Sequence, residues 1–134
     1  MSFPLEFQRK GTYESLASGI TIEAILRYGN LETVCQAKVD TGAQVCLFGR
    51  AFADSLDIDV ESGYREVFST LGGKITAYAH EIELETLSLR FQSYVYFAEN
   101  YAVRRNLLGR QGWLQLVQLG LDDYHNELYL NPNT

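Results

Sequence analysis

The sequence predicts an all-β domain, and three observations carry that prediction. Apolar residues alternate with polar ones over several stretches, where a helix would repeat them every three or four positions. The run Leu87 to Ala98 is rich in Tyr, Phe and Val, which suit a pleated, half-buried surface. Glycine-bearing breaks, Gly29-Asn30 and Gly72-Gly73, fall between the alternating runs, where hairpin turns belong. With 134 residues, 46% of them hydrophobic, the chain is long enough for one compact core and too short for two, so a single domain over 1–134 is expected.

The elements follow in order. Residues 1–18 are weakly patterned and broken by Pro4 and Gly11, so they read as an N-terminal arm, with room for a short edge strand. Gly19 to Tyr28 alternates, with Ile20, Ile22, Ala24 and Leu26 on one face and Thr21, Glu23 and Arg27 on the other; this is a half-buried strand. Gly29-Asn30 turns the chain, and Leu31 to Val39 returns with Cys35, Ala37 and Val39 inward. Arg50 to Leu56 is a short helix, with Phe52 and Leu56 four apart on one side. Asp57 to Gly63 is a loop. Tyr64 to Ser69 and Ile75 to Leu84 form a long hairpin with a glycine tip across Thr70 to Lys74, and Leu87 to Ala98 is a further strand. Arg110 to Leu116 holds one or two helical turns. Val117 to Leu121 and Glu127 to Leu130 close the chain as a hairpin.

Composition excludes several functions. The net charge is −6, with 11 basic residues scattered against 17 acidic ones, so no concentrated face exists for nucleic acid. Arg104, Arg105 and Arg110 are the one local basic cluster; the first two read as a solvated loop with one structural ion pair. No apolar run reaches the ~20 residues of a membrane helix, and Met1 to Gly11 does not resemble a signal peptide. Cytoplasmic location without a membrane partner is therefore expected. Cys35 and Cys46 read as free thiols acting as small hydrophobes. Two cysteines with two isolated histidines, His80 and His125, do not make a zinc site, so neither metal nor cofactor is expected.

The chemistry concentrates in Val39-Asp40-Thr41-Gly42-Ala43, at the end of a strand. Gly42 can turn the chain sharply there. A second run, Leu107-Leu108-Gly109-Arg110, lies downstream at a separation one small β domain can bridge. A lone carboxylate beside a hydroxyl is a poor catalyst. Two of them face to face share one proton, as is established for aspartic protease dyads. The ionised member can then take a proton from water while the protonated one polarises a carbonyl. The chain carries one copy, so this chemistry demands a symmetric dimer.

These residues resemble the retropepsin-like aspartic proteases, the family of the retroviral proteases and their single-domain bacterial relatives. The resemblance rests on Val39-Asp40-Thr41-Gly42-Ala43, on the Gly72-Gly73 hairpin, and on Leu107-Leu108-Gly109-Arg110 followed by Trp113-Leu114. It spans roughly Ile20 to Leu130. It implies a small, closed, barrel-like sheet with one or two short helices, equivalent to half of a bilobal pepsin-like enzyme. It also implies an aspartic endopeptidase active as a homodimer, with Asp40 catalytic in each subunit and a peptide or protein as substrate. Thr41 would brace the two aspartate loops across the two-fold axis, while Gly42 and Ala43 would leave room for substrate backbone. Leu71, Gly72, Gly73, Lys74 and Ile75 would form a flap that closes over the peptide. Leu107 and Leu108 would pack under the aspartate loop, Gly109 would make the tight turn, and Arg110 would anchor it. The family often carries an acidic residue where Gln44 stands, and Asp or Asn at Gln111. Gln44 can still bond substrate backbone or Arg110, but without charge.

Other readings remain open at this level. Asp40-Thr41-Gly42 is also an ordinary strand-ending turn, and Gly72-Gly73 an ordinary hairpin tip. Trp113 and the nine Tyr residues read as packing, with Tyr64 or Tyr78 available to line a cleft. The chain could keep the family's shape as a catalytically silent dimer that binds extended peptides. It could also be a monomeric β domain unrelated to proteases.

Overall fold

The computed structural model describes residues 1–15 and 18–133. Two sheets account for most of the chain. The expected strand pair appears as β2 (Thr21–Tyr28) and β3 (Leu31–Val39), antiparallel around Gly29-Asn30. Gly29 adopts φ +59°, which the tight turn requires. Ile22, Ala24, Leu26, Cys35 and Ala37 are all buried, because a period of two puts them on the core face.

The hairpin of β5 (Tyr64–Thr70) and β6 (Gly73–Thr86) is tighter than the sequence suggests. Thr70 pairs with Gly73, so the loop is only Leu71-Gly72, while Lys74 and Ile75 already belong to the strand. The Thr70 hydroxyl donates to the Gly73 carbonyl at 2.8 Å and closes the turn. The next strand, β7, runs Leu89–Ala98 and starts two residues later than expected. Leu87 and Ser88 form a two-residue turn with φ +46° and +66°, a conformation that ordinary turn signals (Gly, Asn) did not announce.

Two very short strands, β4 (Leu47–Phe48) and β8 (Leu107–Leu108), join these hairpins. The order β2-β3-β8-β4-β7-β6-β5, with β2 also pairing β6, closes the seven-stranded sheet into a ring. A second, three-stranded sheet has the order β1-β10-β9. Its strands are β1 (Arg9–Thr12), β9 (Val117–Asp122) and β10 (Glu127–Pro132). The arm expected over 1–18 therefore holds a paired strand; Leu16 and Ala17 of that arm lie outside the described residues.

Helix is sparse. The α1 helix spans Arg50–Ser55, with Leu56 fully buried at its end. The loop expected over Asp57 to Gly63 contains a 3-10 turn at Val60–Ser62. The helical turns expected over Arg110 to Leu116 reduce to a 3-10 turn at Leu114–Leu116. Trp113, fully buried, is the largest core side chain, and its indole N–H donates to the buried Thr86 hydroxyl at 2.9 Å. That bond matters because an unpartnered indole N–H in the core costs about 1–3 kcal/mol.

Candidate active site

Asp40 follows β3 directly. Its own N–H donates to the Leu108 carbonyl at 3.0 Å, and the Val39 N–H donates to Ile20 at 2.8 Å. Parallel pairing of Val39 with Leu108 brings the two sequence motifs side by side. The chain then turns back: the Ala43 N–H donates to the Asp40 carbonyl at 3.1 Å. Within this turn the Gly42 N–H donates to Asp40 Oδ1 at 3.0 Å. One carboxylate oxygen is thereby oriented by backbone, and the other makes no hydrogen bond among the described residues.

The second motif supports the first almost wholly through its backbone. The Arg110 N–H donates to the Ala43 carbonyl and the Gln111 N–H to the Gln44 carbonyl, both at 2.9 Å. Gly109 is buried beneath this loop, and a Cβ there would collide with the Val45 carbonyl oxygen. Glycine is the one residue that permits this approach. Leu108 is 1% exposed and packs in the main core, while Leu107 joins a separate small cluster with Leu47, Phe68, Ile75 and Tyr96. The Arg110 side chain is exposed and forms no ion pair among the described residues. Thr41, Gly42 and Gln44 are exposed as well, and the Thr41 hydroxyl has no partner within the described chain.

Cys46 lies below this platform. The Gly109 N–H points at its sulfur at 3.4 Å, yet burial outweighs that contact and pushes the thiol up to about 12. Burial likewise raises Cys35 to about 12. Both thiols are free and buried, as small apolar residues would be.

A cleft of about 580 Å³ opens beside Asp40. One wall is the aspartate loop, Gly42 to Val45. The facing wall is the β5–β6 hairpin, from Glu66 to Thr70 together with Ile75. The floor is Leu47, Leu107 and Tyr96, which adjoin because Leu47 pairs with both Tyr96 and Leu107. Phe68 from the hairpin meets Tyr96 edge-on, with ring centres 5.1 Å apart. Burial pushes the Tyr96 phenol above its ordinary value, and the Glu66 carboxylate adds to that shift. The hairpin tip stands clear of the body: residues 71–74 are exposed, Leu71 completely.

The structure brings Asp40, Gly42, Ala43, Gln44, Gln111 and Ile75 into one cleft. It does not bring Tyr64 or Tyr78 there: Tyr78 is 7% exposed, with its hydroxyl donated to Glu99 at 2.7 Å. Tyr96 takes the place expected for one of them, through a register that joins two strands remote in sequence. Arg104 and Arg105 were expected in a solvated loop with one structural ion pair; both are exposed, and Arg104 has no acidic partner among the described residues. Arg105 has no acidic partner among the described residues and lines the cleft instead.

A family model described as aspartyl protease matches residues 25–111, more than half of the chain. The chain therefore belongs to the aspartyl protease family. Its fold is that of the retropepsins. It is similar to a retropepsin-like aspartic protease from Rickettsia conorii, with 18% identity, a TM-score of 0.62, and coverage of 83% of this chain and 88% of that one. It is also similar to EIAV protease complexed with the inhibitor HBY-793, with 16% identity, a TM-score of 0.56, and coverage of 73% and 88%. No curated protein is similar enough to the chain to count as a relative.

Proposed function

We propose that the protein is an aspartic endopeptidase that acts as a homodimer on extended peptide segments. One observation carries this reading: Asp40 faces an open cleft with Oδ1 held by the Gly42 N–H, and the chain supplies that group once. A twin carboxylate from a second copy completes the pair. The pair holds one proton, because two adjacent anions in one cleft repel. The ionised carboxylate removes a proton from a water, whose oxygen attacks the scissile carbonyl carbon. The protonated carboxyl donates a hydrogen bond to the carbonyl oxygen as charge builds on it. Collapse of the tetrahedral intermediate returns a proton to the leaving amine, so no covalent enzyme intermediate forms.

The remaining residues serve this step. Gly42 and Ala43 leave space for substrate backbone, and the free Thr41 hydroxyl is available to the opposite subunit. Leu71, Gly72, Gly73, Lys74 and Ile75 close over bound peptide and exclude water. Leu108, Gly109 and Arg110 hold the loop, and Gln44 bonds substrate backbone. Peptide added alongside the hairpin takes the form of an extra strand. Free buried thiols at Cys35 and Cys46 support a reducing, cytoplasmic setting. Among the described residues no helix is long and apolar enough to cross a membrane.

The test is Asp40→Asn, assayed against a broad peptide library at acidic and neutral pH, with sedimentation on both proteins. Loss of at least about 10³-fold in cleavage, with fold and dimer intact, is expected. Cleavage that persists in the variant removes Asp40 from the mechanism.

A further inference from the structure

The charges of the cleft are unevenly placed. Of the residues lining it, Asp40 and Glu66 are anionic and Arg105 is the one cation. Of the ten other basic residues of this acidic chain, four are spent on carboxylates, and none of the rest lines the cleft. Lys10 meets Glu127, Arg27 meets Glu83 and Glu85, Arg50 meets Glu61, and Arg90 meets Glu85. Arg105 has no carboxylate within ion-pair distance among the described residues, Glu66 on the facing wall included.

The residue that follows it, by contrast, is firmly held. The neighbouring Asn106 accepts the Gly49 N–H at its Oδ1 at 3.0 Å, donates from Nδ2 to the Gln36 carbonyl, and accepts the Lys38 N–H at its own carbonyl. Upstream, Arg50 clamps the same segment by donating to the Glu99 carbonyl at 3.1 Å and lying over the Tyr101 ring. A long cationic side chain on an anchored stretch, two residues before Leu107 of the apolar floor, is placed to read charge.

Resting on the peptidase reading, we infer that Arg105 is a specificity-determining residue. The cleft selects peptides that carry an acidic side chain, Asp or Glu, close to the apolar residue seated on Leu47, Leu107 and Tyr96. The Arg105 side chain is exposed where it lines the cleft, and its guanidinium offers paired N–H donors to a carboxylate there. A lysine at that position meets like charge. In a homodimer the preference appears on both sides of the scissile bond, because Arg105 is present twice.

The test uses peptides with one fixed apolar pair and a single Glu, Gln or Lys stepped along the flanking positions. Cleavage is measured with the wild-type protein, and binding of the same peptides with Asp40→Asn. At one position on each side the Glu peptide is preferred over the Lys peptide by about tenfold, and added salt compresses that ratio. In Arg105→Gln the ratio falls to about one, and in Arg105→Glu it inverts. The inference is overturned if no position shows a charge preference, or if the preference survives in Arg105→Gln. It is equally overturned if Arg105→Gln and Glu66→Gln weaken all peptides alike, which would mean the two side chains neutralise each other. Binding that shows the charge preference without any cleavage contradicts the peptidase reading and leaves the role of Arg105 standing.

Discussion

The aspartate loop and the β5–β6 hairpin form opposite walls of one cleft, and the loop and the hairpin's tip are built in opposite ways. Around Asp40, four backbone hydrogen bonds tie two segments remote in sequence, and Gly109 and Leu108 are buried beneath them. At residues 71–74 one two-residue turn stands in solvent, closed by a single hydroxyl bond from Thr70. A carboxylate that must meet a twin in fixed geometry needs a platform that cannot drift. A lid that admits and releases a peptide needs the reverse, since moving segments come from the weakly packed end of a fold. Under the proposed function the contrast is a division of labour, and it can be attacked from either side.

The largest effect is expected at the platform. Gly109→Ala drives a methyl group into the Val45 and Ala43 carbonyls and should cost about 3 kcal/mol of unfolding free energy. Urea denaturation measures it; a change below about 0.5 kcal/mol would mean the loop yields and the platform is not rigid. Next in size is Trp113→Phe, which keeps an aromatic ring but leaves the buried Thr86 hydroxyl without its indole donor. About 2 kcal/mol of destabilisation is expected by the same measurement.

A smaller effect concerns the segment that carries Arg105. The Arg50 guanidinium holds the Glu61 carboxyl below the usual carboxylate range. A folded-state value lowered in this way stabilises the protein above the ordinary Glu range, and that contribution is lost as pH falls through the lowered value. Comparing wild type with Glu61→Gln by thermal unfolding should show the wild-type advantage near neutral pH and its disappearance in acid. An advantage that grows in acid would contradict the assignment. The smallest effect on stability is expected at the lid. Leu71→Ser should change unfolding free energy by less than about 0.5 kcal/mol, because the side chain is fully exposed. The same variant should raise KM for peptides severalfold. A large stability loss there would erase the distinction between the walls.

The sequence makes some of this legible and hides the rest for identifiable reasons. Strands β2 and β3 can be read because burial on one face imposes a period of two, and each expected inward residue from Ile22 to Ala37 is buried. Strands β4 and β8 cannot, since two residues carry no period and their pairing is set by partners far along the chain. The Leu87-Ser88 turn was hidden because neither residue advertises a positive φ. At the site, the motifs around Asp40 and Gly109 are local and legible. The placement of Arg105 and Tyr96 is not, because each enters the cleft through long-range register. Their chemistry could be listed from sequence, but their address could not.

The proposed mechanism needs two chains sharing one catalytic centre, and mixing reads this most directly. Wild-type protein is held at constant concentration, Asp40→Asn is added under conditions of subunit exchange, and the initial rate of peptide cleavage is followed. Random pairing predicts that an equal amount of variant lowers the rate to about half and a ninefold excess to about a tenth, since every mixed pair lacks one carboxylate. A rate that stays level across the titration would mean each chain cuts on its own, and the shared-carboxylate mechanism would be wrong.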